Sequence, residues 1–290
     1  MKNCIVCLDL TNFDEHILKS CKNVIQPLLK YDNFEFINVV TNLVHPQQEI
    51  HQIIDYTGPQ TDLESKVKKI MESKVKRIIN PLGISNQYTV LEGRPYRELI
   101  HRIDVKQADL VVVGCKSRSS NSGITPKRIA HNLNSDILFV PESKGGKIKN
   151  ILVPVDFSDN SLKAVQIALE IAPPNSKVNV LHVVSPIYSY AMASSYVNEY
   201  NAMLLDNSKD TMNKFIAKLG QDIPDKLGVT LLKGSQFSVA DTIKDYAEQN
   251  NSDLLILGAR SHGKFRNFII GSTTESLIHL RPNIPILIKR

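Results

Sequence analysis

The stretch D-L-L-I-L-G-A-R-S-H-G-K-F-R-N-F-I-I-G-S-T, from Asp253 to Thr273, contains an apolar run, a loop and the start of a further periodic segment. The run Leu254–Leu257 is long enough for a buried strand of a parallel sheet and too short for most helices. It ends at Gly258, where the absence of a Cβ allows a sharp turn or the close approach of a ligand. The stretch therefore predicts a buried strand followed by a loop in which function is concentrated.

The residues after Gly258 predict an anion-binding site. Ser272 as N-cap and Glu275 three residues later have the spacing of a capping box, which would begin a helix. Free N–H groups and the positive end of the helix dipole attract anions at such a helix start. The loop before it carries basic side chains that suit phosphates, although an exposed basic loop is an equal alternative. These side chains are Arg260, His262, Lys264 and Arg266.

Three apolar segments occur twice, in the same order and roughly half a chain length apart. Each copy begins with Lys-Asn, an apolar run and an aspartate, and later contains an apolar run that ends in glycine. Such self-similarity indicates a tandem duplication. The matched pairs are Lys2–Asp9 with Lys149–Asp156, Ala108–Gly114 with Ser252–Gly258, and Ser135–Val140 with Ile284–Lys289.

Within each copy, short apolar strands alternate with helical segments. This alternation predicts an α/β fold of two tandem domains, each a doubly wound parallel sheet with helices on both faces. The polar segment Glu142–Lys147 is the predicted linker, so the domains are residues 1–143 and 148–290. The charged segment Leu63–Ile79 is predicted to be a solvated helix that covers the sheet. The residues expected near its buried face are Leu63, Val67, Ile70, Lys74 and Ile78.

The composition is that of an ordinary globular protein. Its 290 residues suffice for two domains, each able to bury roughly 70% of its unfolded surface. The net charge of +6 comes from 35 basic and 29 acidic residues that are interleaved, which disfavours nucleic-acid binding. No stretch has the roughly 20 apolar residues of a membrane span, and the apolar run interrupted by Asp9 is too short for a signal peptide. A cytoplasmic protein without a membrane partner is therefore expected.

The four cysteines all lie in the first half of the chain. The C-I-V-C spacing of Cys4 and Cys7 places them on opposite faces of a strand, and no second Cys/His pair follows, so no metal site is predicted. Reduced, mostly buried thiols are the expected state. Cys7 and Cys115 are expected near the end of the first sheet, where a redox-sensitive pair is the alternative to two buried thiols.

Asp156 and Gly258 both end apolar strands of the second copy. In doubly wound sheets, ligands bind beyond the carboxyl ends of the strands, so both residues should face one crevice. Asp156 could bond a ribose or an adenine, and an Asx turn or a helix cap is the alternative. Neither G-x-G-x-x-G nor G-x-x-x-x-G-K-[ST] is present, which disfavours a dinucleotide site of the NAD type and a P-loop. No set of residues with catalytic spacing stands out.

The segment I-L-V-P-V-D-F-S-D-N-S at Ile151–Ser161, with L-L-I-L-G and G-S-T-T-E-S-L within Leu254–Leu277, resembles the universal stress protein family. The resemblance covers both copies and implies tandem Rossmann-like domains of the adenine nucleotide alpha-hydrolase-like type. Nucleotide-binding members carry G-x2-G-x9-G-[S/T] after the fourth strand. Here the frame is Gly258-x2-Ser261-x9-Gly271-Ser272. The Cβ of Ser261 would lower affinity if that position needs a positive φ or crowds a phosphate.

By this resemblance the C-terminal copy is the nucleotide-binding candidate. Its first strand and second strand would supply the residues around adenosine, namely Pro154, Val155, Asp156 and Val183. The loop and the next helix would surround ribose and phosphates, with Gly263 partly compensating for Ser261. These residues are Gly258, Arg260, Ser261, His262, Gly263, Gly271, Ser272 and Thr273. The equivalent loop after Gly114 is shorter and lacks the closing Gly-Ser, so the N-terminal copy is predicted not to bind a nucleotide.

The resemblance implies a regulatory stress-response protein that binds ATP, with AMP or ADP as alternatives, and that has no strong catalytic activity. Mg²⁺ would arrive with the phosphates rather than in a protein cage. Binding would order the Gly258–Gly271 loop for a protein partner. The copies would pack as an internal pseudo-dimer through Ile137–Val140 and Ile286–Ile288, with a homodimer as a further alternative. A ligand-free interaction scaffold and a slow ATPase are the rival functions.

Overall fold

The structure, a computed structural model, describes residues 2–41, 60–79, 85–115, 126–142, 146–186, 194–220, 224–234, 238–261 and 268–290. The chain divides between Lys147 and Ile148 into two compact units. Each unit contains a five-stranded sheet, and the strand pairs described within each unit are parallel. The predicted α/β class with doubly wound parallel sheets is confirmed.

The first unit alternates strands and helices from its start, with the strand order β3-β2-β1-β4-β5. Helix α1 continues directly into a π-helical segment, Cys21–Leu29, so the winding changes within one continuous helical stretch. The elements are β1 (Asn3–Cys7), α1 (Asp14–Ser20), β2 (Asn33–Val40), α2 (Gln60–Ile79), β3 (Ser85–Glu92), α3 (Pro95–Lys106), β4 (Leu110–Cys115), α4 (Pro126–Asn132) and β5 (Asp136–Pro141).

The second unit repeats this sequence of elements, with the strand order β12-β9-β6-β7-β8. Two further strands of two residues each, β10 and β11, pair with one another after β9. The elements are β6 (Asn150–Pro154), α5 (Asp159–Ile171), β7 (Lys177–Val184), α6 (Ser194–Ala217), β8 (Leu227–Lys233), α7 (Val239–Gln249), β9 (Leu254–Gly258), β10 (Arg260–Ser261), β11 (Phe268–Ile269), α8 (Ser272–Leu280) and β12 (Ile286–Lys289).

The central strands are buried on both faces, which explains their unbroken apolar sequences. Consecutive residues of β1, Cys4 to Val6, and of β9, Leu254 to Leu257, are all buried. A sheet covered by helices on both sides needs such runs rather than an alternating pattern. In the second unit, β6 lies between β7 and β9, so the chain leaves β6 and β9 in opposite directions and a crevice can form between them.

Helix α2 buries a different stripe of side chains from the predicted one. The prediction was right for Leu63 and Val67, but Ile70, Lys74 and Ile78 are only half-buried. The periodicity of the segment allows two neighbouring stripes, and the contacts with β3 and α1 favour the strict spacing of four residues. The fully buried residues are Leu63, Val67, Met71, Val75 and Ile79. Among the described helices, none has both the length and the apolar character needed to cross a membrane.

Candidate functional site

A crevice of about 210 Å³ opens at the carboxyl ends of β6, β7 and β9 in the second unit. Apolar side chains from β7 and α7 form one part of its lining, and polar groups from α5 and α8 form another. This is the position at which ligands bind in doubly wound sheets. The lining residues are Pro154, Val155, Asp156, Ser161, Leu181, His182, Val183, Val239, Ile243, Leu257, Gly258, Gly271, Thr273 and Thr274.

The turn between β6 and α5 is fixed by hydrogen bonds to one carboxylate oxygen. Asp156 Oδ1 accepts from Ser158 Oγ and Ser161 Oγ, both at 2.5 Å, and from the Ser158 N–H at 3.2 Å. Ser158 is in turn the N-cap of α5, and its Oγ accepts from the Ser161 N–H at 3.2 Å. The alternative role given to Asp156, an Asx turn beside a helix cap, is therefore what Oδ1 performs. The exposed carboxylate is held in one orientation at the rim of the crevice.

His182 and Phe157 lie next to the turn between β6 and α5 and contact each other there. His182 Nδ1 donates to the Val155 carbonyl oxygen at 2.9 Å, because a carbonyl can only accept. The imidazole ring contacts the ring of Phe157, with 4.1 Å between the centroids and an interplanar angle of 34°. The φ of Phe157 is 63°. His182 is therefore a lining residue of the crevice.

Gly258 is required by helix packing at the end of β9. A Cβ at this position would lie 2.6 Å from the Asn160 carbonyl carbon and 3.1 Å from the Ser161 nitrogen. Real side chains do not approach a backbone so closely, so only glycine lets α5 begin against the strand end. The glycine therefore shapes the crevice by bringing the first turn of α5 close to β9.

The predicted capping box at Ser272 and Glu275 was wrong. Helix α8 begins at Ser272, so Gly271 is the N-cap, with φ −64° and ψ 149°, and no side chain caps the helix. The first intrahelical bond runs from the Glu275 N–H to the Gly271 carbonyl oxygen at 2.9 Å. The three N–H groups before Glu275 have no carbonyl partner within the helix, and Gly271 and Thr273 line the crevice. The helix start is thus better suited to an external anion than a capped one.

Comparison with known proteins agrees with this geometry. Residues 147–288, which contain the whole crevice, match the model of the universal stress protein family. The second unit belongs to the universal stress protein family. The family model covers the second unit, and the repeated elements of the first unit follow the same pattern of strands and helices.

Individual universal stress proteins are similar over different parts of the chain. One from Methanocaldococcus jannaschii is 27% identical over 143 residues, which are 48% of this chain and 81% of the relative. One from Synechocystis is 23% identical over 248 residues, 83% of this chain and 78% of the relative. The crystal structure of a universal stress protein from Archaeoglobus fulgidus has a TM-score of 0.64 at 17% identity and covers 99% of this chain and 98% of that chain. The structural likeness supports the fold.

The residues that the family resemblance predicted to bind a nucleotide fall into three groups. Seven of them line the crevice: Pro154, Val155, Asp156, Val183, Gly258, Gly271 and Thr273. Ser272 is exposed at the start of α8, and Arg260 and Ser261 form β10 directly after β9. His262 and Gly263 lie outside the described residues, as does the rest of the basic loop.

Sequence reasoning missed seven lining residues: Ser161, Leu181, His182, Val239, Ile243, Leu257 and Thr274. Leu181 and Leu257 lie at strand ends, so the strand assignment contained the signal that could have identified them. The contributions of α7 and α8 depend on how the helices pack, which no local pattern predicts.

The first unit has a related turn with different chemistry. Asp9 Oδ1 accepts from the Thr11 N–H at 3.1 Å and from Thr11 Oγ1 at 2.6 Å, which repeats the Asx turn of Asp156. The ring of Phe13 packs against Gly114, where the second unit has only the backbone of Asn160. An aromatic ring therefore stands beside the strand end that corresponds to Gly258.

A buried ion pair replaces the serine of the second unit. The Asp9 N–H donates to Asp14 Oδ1 at 3.0 Å, as the Asp156 N–H does to Ser161 Oγ at 3.1 Å. Lys74 Nζ lies 2.8 Å from Asp14 Oδ2 and donates to the carbonyl oxygens of Leu10 and Thr11 at 2.7 and 2.8 Å. Burial raises the pKa of Asp14 to about 6, although the Lys74 ammonium opposes this shift.

All four cysteines are buried and free of disulfide bonds. Burial raises the pKa of the Cys7 thiol to about 12 and also raises the pKa values of the Cys4 and Cys21 thiols. These values favour inert thiols, as expected for reduced core cysteines. Within the described ranges, no group of His, Cys, Asp and Glu side chains could hold a metal ion.

Proposed function

We propose that the crevice of the second unit binds an adenine nucleotide. One observation supports this most directly: an apolar slot at the switch point of the sheet lies beside a helix start that has no side-chain cap. Leu181, Val183 and Ile243 offer apolar surface to a flat base. The volume of about 210 Å³ suits a base and its sugar, with the phosphates extending outward along α8.

The polar groups of the crevice support the same ligand. Asp156 lies at the rim with a fixed orientation, which suits hydrogen bonds to ribose hydroxyl groups. Phosphates at the start of α8 would be stabilised by its uncapped N–H groups and by the helix dipole. ATP is favoured over AMP because more phosphate oxygens would interact there, with Mg²⁺ bound mainly through the phosphates. Ser261 in the glycine frame weakens this preference if its Cβ crowds a phosphate.

We propose a regulatory role rather than strong catalysis. Asp156 and His182 are the ionisable residues among the described lining of the crevice, and each is held by local hydrogen bonds. Such groups position a ligand, whereas hydrolysis needs a base that can orient a water molecule. Nucleotide binding would then change the surface seen by a protein partner. A slow ATPase and a ligand-free scaffold are the competing functions.

Calorimetric titration with ATP and Mg²⁺ tests the proposal. We expect binding at about one site per chain, with loss of at least about 10-fold in affinity for Asp156→Ala, because a charge-assisted hydrogen bond is removed. Asp9→Ala is the matched control, since it removes the equivalent Asx turn from the first unit. Gly271→Val should also abolish binding, because φ −64° tolerates valine and only the space at the helix start changes.

Each outcome separates the candidate functions. Equal loss of affinity in Asp9→Ala and Asp156→Ala would contradict the placement in the second unit, and two sites per chain would contradict the prediction for the first. Absence of heat at millimolar ATP, together with no absorbance at 260 nm from co-purified nucleotide, would favour the scaffold. ATP turnover well above that of Gly271→Val would favour the slow ATPase.

A further inference from the structure

A second cavity of about 210 Å³ lies in the first unit at the opposite end of the sheet from the Asx turn of Asp9. It opens at the amino ends of β1, β2 and β3, beside the last turn of α3. Its polar lining consists of Asn3, Asn33, Glu35, Ser85, Gln87 and Lys106. No part of the proposed nucleotide site contributes to it.

The strand register aligns these polar side chains in two rows on one face of the sheet. Asn3 pairs with Asn33, which pairs with Ser85, and two residues further along Glu35 pairs with Gln87. Alternate residues of a strand point to the same face, so both rows face the same space. On β1 and β2 the neighbouring positions, Cys4 and Phe34, are buried and apolar, whereas Ser85 and Gln87 are exposed on the edge strand β3.

Glu35 is buried, and the hydrogen bonds that it accepts from the described residues all go to one of its two carboxylate oxygens. Its side chain is 8% exposed, and Oε1 accepts from Thr89 Oγ1 at 2.6 Å and from the Arg102 Nε and Nη2 at 3.0 and 2.5 Å. Oε2 accepts no hydrogen bond from the described residues. A carboxylate can accept about four hydrogen bonds, so Glu35, which lines this cavity, retains capacity for a donor.

Lys106 supplies an uncompensated positive charge in the same cavity. Within the described part of the chain it forms no ion pair, although it is half-buried at the end of α3. The charge of Glu35 is already balanced by Arg102. The cavity therefore has a net positive charge near Lys106 and an acceptor oxygen at Glu35.

The equivalent region of the second unit has neither a carboxylate at the position of Glu35 nor a lysine at the position of Lys106. Asn179 occupies the position of Glu35, and its amide is satisfied by Thr230 Oγ1 at 3.1 Å and by Tyr246 Oη at 2.8 Å. Asn250 occupies the position of Lys106 and donates to the Tyr246 carbonyl oxygen at 2.9 Å. Asn179, Thr230 and Tyr246 form a neutral trio whose side chains hydrogen-bond to one another, and this trio connects the sheet to α7. Structure alone thus does not require the charges of the first unit.

We propose that the cavity of the first unit binds a small carboxylate that carries a hydrogen-bond donor next to the carboxyl group, an α-amino acid above all. The carboxylate pairs with Lys106, and the amino group donates to Glu35 Oε2. Asn3 and Asn33 share one hydrogen bond of 3.2 Å and keep a further donor and acceptor for the ligand. The volume is below the roughly 300 Å³ of a typical drug-sized site, which restricts the ligand to a small molecule.

Saturation-transfer NMR and calorimetry on the full chain test this with four matched probes: alanine, lactate, propionate and ethylamine. We expect alanine to bind, lactate to bind more weakly because its donor is neutral, and propionate and ethylamine to lose roughly 10-fold or more because each lacks one of the two contacts. A screen of the other natural amino acids then identifies the preferred side chain. Absence of binding for every amino acid at millimolar concentration overturns the proposal.

Variants assign the binding to this cavity. Lys106→Met and Glu35→Gln should each reduce alanine affinity roughly 10- to 100-fold, the range of a charge-assisted hydrogen bond. Lys22→Met removes the same charge from an exposed position of the first unit and should have no effect. Because Glu35 also pairs with Arg102, thermal unfolding of Glu35→Gln is measured together with its alanine affinity. If Glu35→Gln proves to be unfolded, the result for Lys106→Met decides the test. Binding that survives Lys106→Met contradicts the site, and Asp156→Ala leaves it intact.

Discussion

Replacing Gly258 with alanine tests whether the end of β9 is packed against the first turn of α5. The added Cβ would lie 2.6 Å from the carbonyl carbon of Asn160 and 3.1 Å from the nitrogen of Ser161. Both are backbone atoms of a helix, so the turn must move as a unit. Overpacking of this kind costs about 1–3 kcal/mol, which lowers the melting temperature of a domain this size by roughly 2–12 °C. The same movement would narrow the crevice.

Two other glycines provide a graded comparison. Gly228 in β8 has its nearest neighbour, Asn179 Oδ1, at 3.4 Å from an added Cβ, which is an ordinary contact. Gly228→Ala should therefore be neutral or slightly stabilising, because alanine loses less backbone entropy on folding. Gly114→Ala should fall between the two variants, since the atoms that its Cβ would meet, including Phe13 Cδ1 at 2.9 Å and Ile17 Cδ1 at 3.2 Å, belong to side chains and not to the backbone.

Circular dichroism melts of the three variants and the wild type, without ligand, give the comparison. Amide hydrogen exchange then shows whether the loss of protection in Gly258→Ala begins in α5, as the clash requires. A melting temperature for Gly258→Ala equal to that of Gly228→Ala would refute the close packing of α5 on β9. A loss of protection confined to the first unit would refute it as well.

Two further predictions concern buried ionisable groups of the first unit. Because burial raises the pKa of Asp14 from 3.8 to about 6, the folded state holds this proton more tightly, so stability falls by about 3 kcal/mol between pH 4 and pH 6 and stays level above. The free energy of unfolding of Asp14→Asn, measured in urea, should not show that fall. If the two proteins differ in this free energy by the same amount at pH 4 and at pH 7, the raised pKa of Asp14 is contradicted. Burial raises the pKa of the Cys7 thiol to about 12, so a thiol reagent at pH 8 should label the four cysteines only after unfolding in guanidinium. Rapid labelling of the native protein would show that a thiolate is accessible.

The periodicity of the sequence predicted helices and strands more reliably than it predicted which face of a helix is buried. Helix Pro95–Lys106 begins with a proline at its first position, and strand Lys177–Val184 contains an apolar run, so both elements have local sequence signals. The buried stripe of α2 was misplaced beyond Val67, since a helix with several half-apolar stripes leaves the choice to its packing partners. The cap of α8 was misplaced by one residue because Ser272 and Gly271 are both acceptable N-caps.

The pattern of residues along the chain was enough to predict the class of fold, a duplication and the neighbourhood of the crevice. Apolar strands that end in Asp156 and Gly258 must bring those ends to one edge of a parallel sheet, whatever the remaining details. Tertiary structure alone decided the chemistry at that edge. It placed the backbone of Asn160 against Gly258 in the second unit and the ring of Phe13 against Gly114 in the first. It also satisfied the amide of Asn179 with Thr230 and Tyr246, whereas the carboxylate of Glu35 keeps capacity for a further donor. Hydrogen bonds between residues far apart in the chain depend on distances that only packing sets, so equivalent positions of a repeat can acquire different functions.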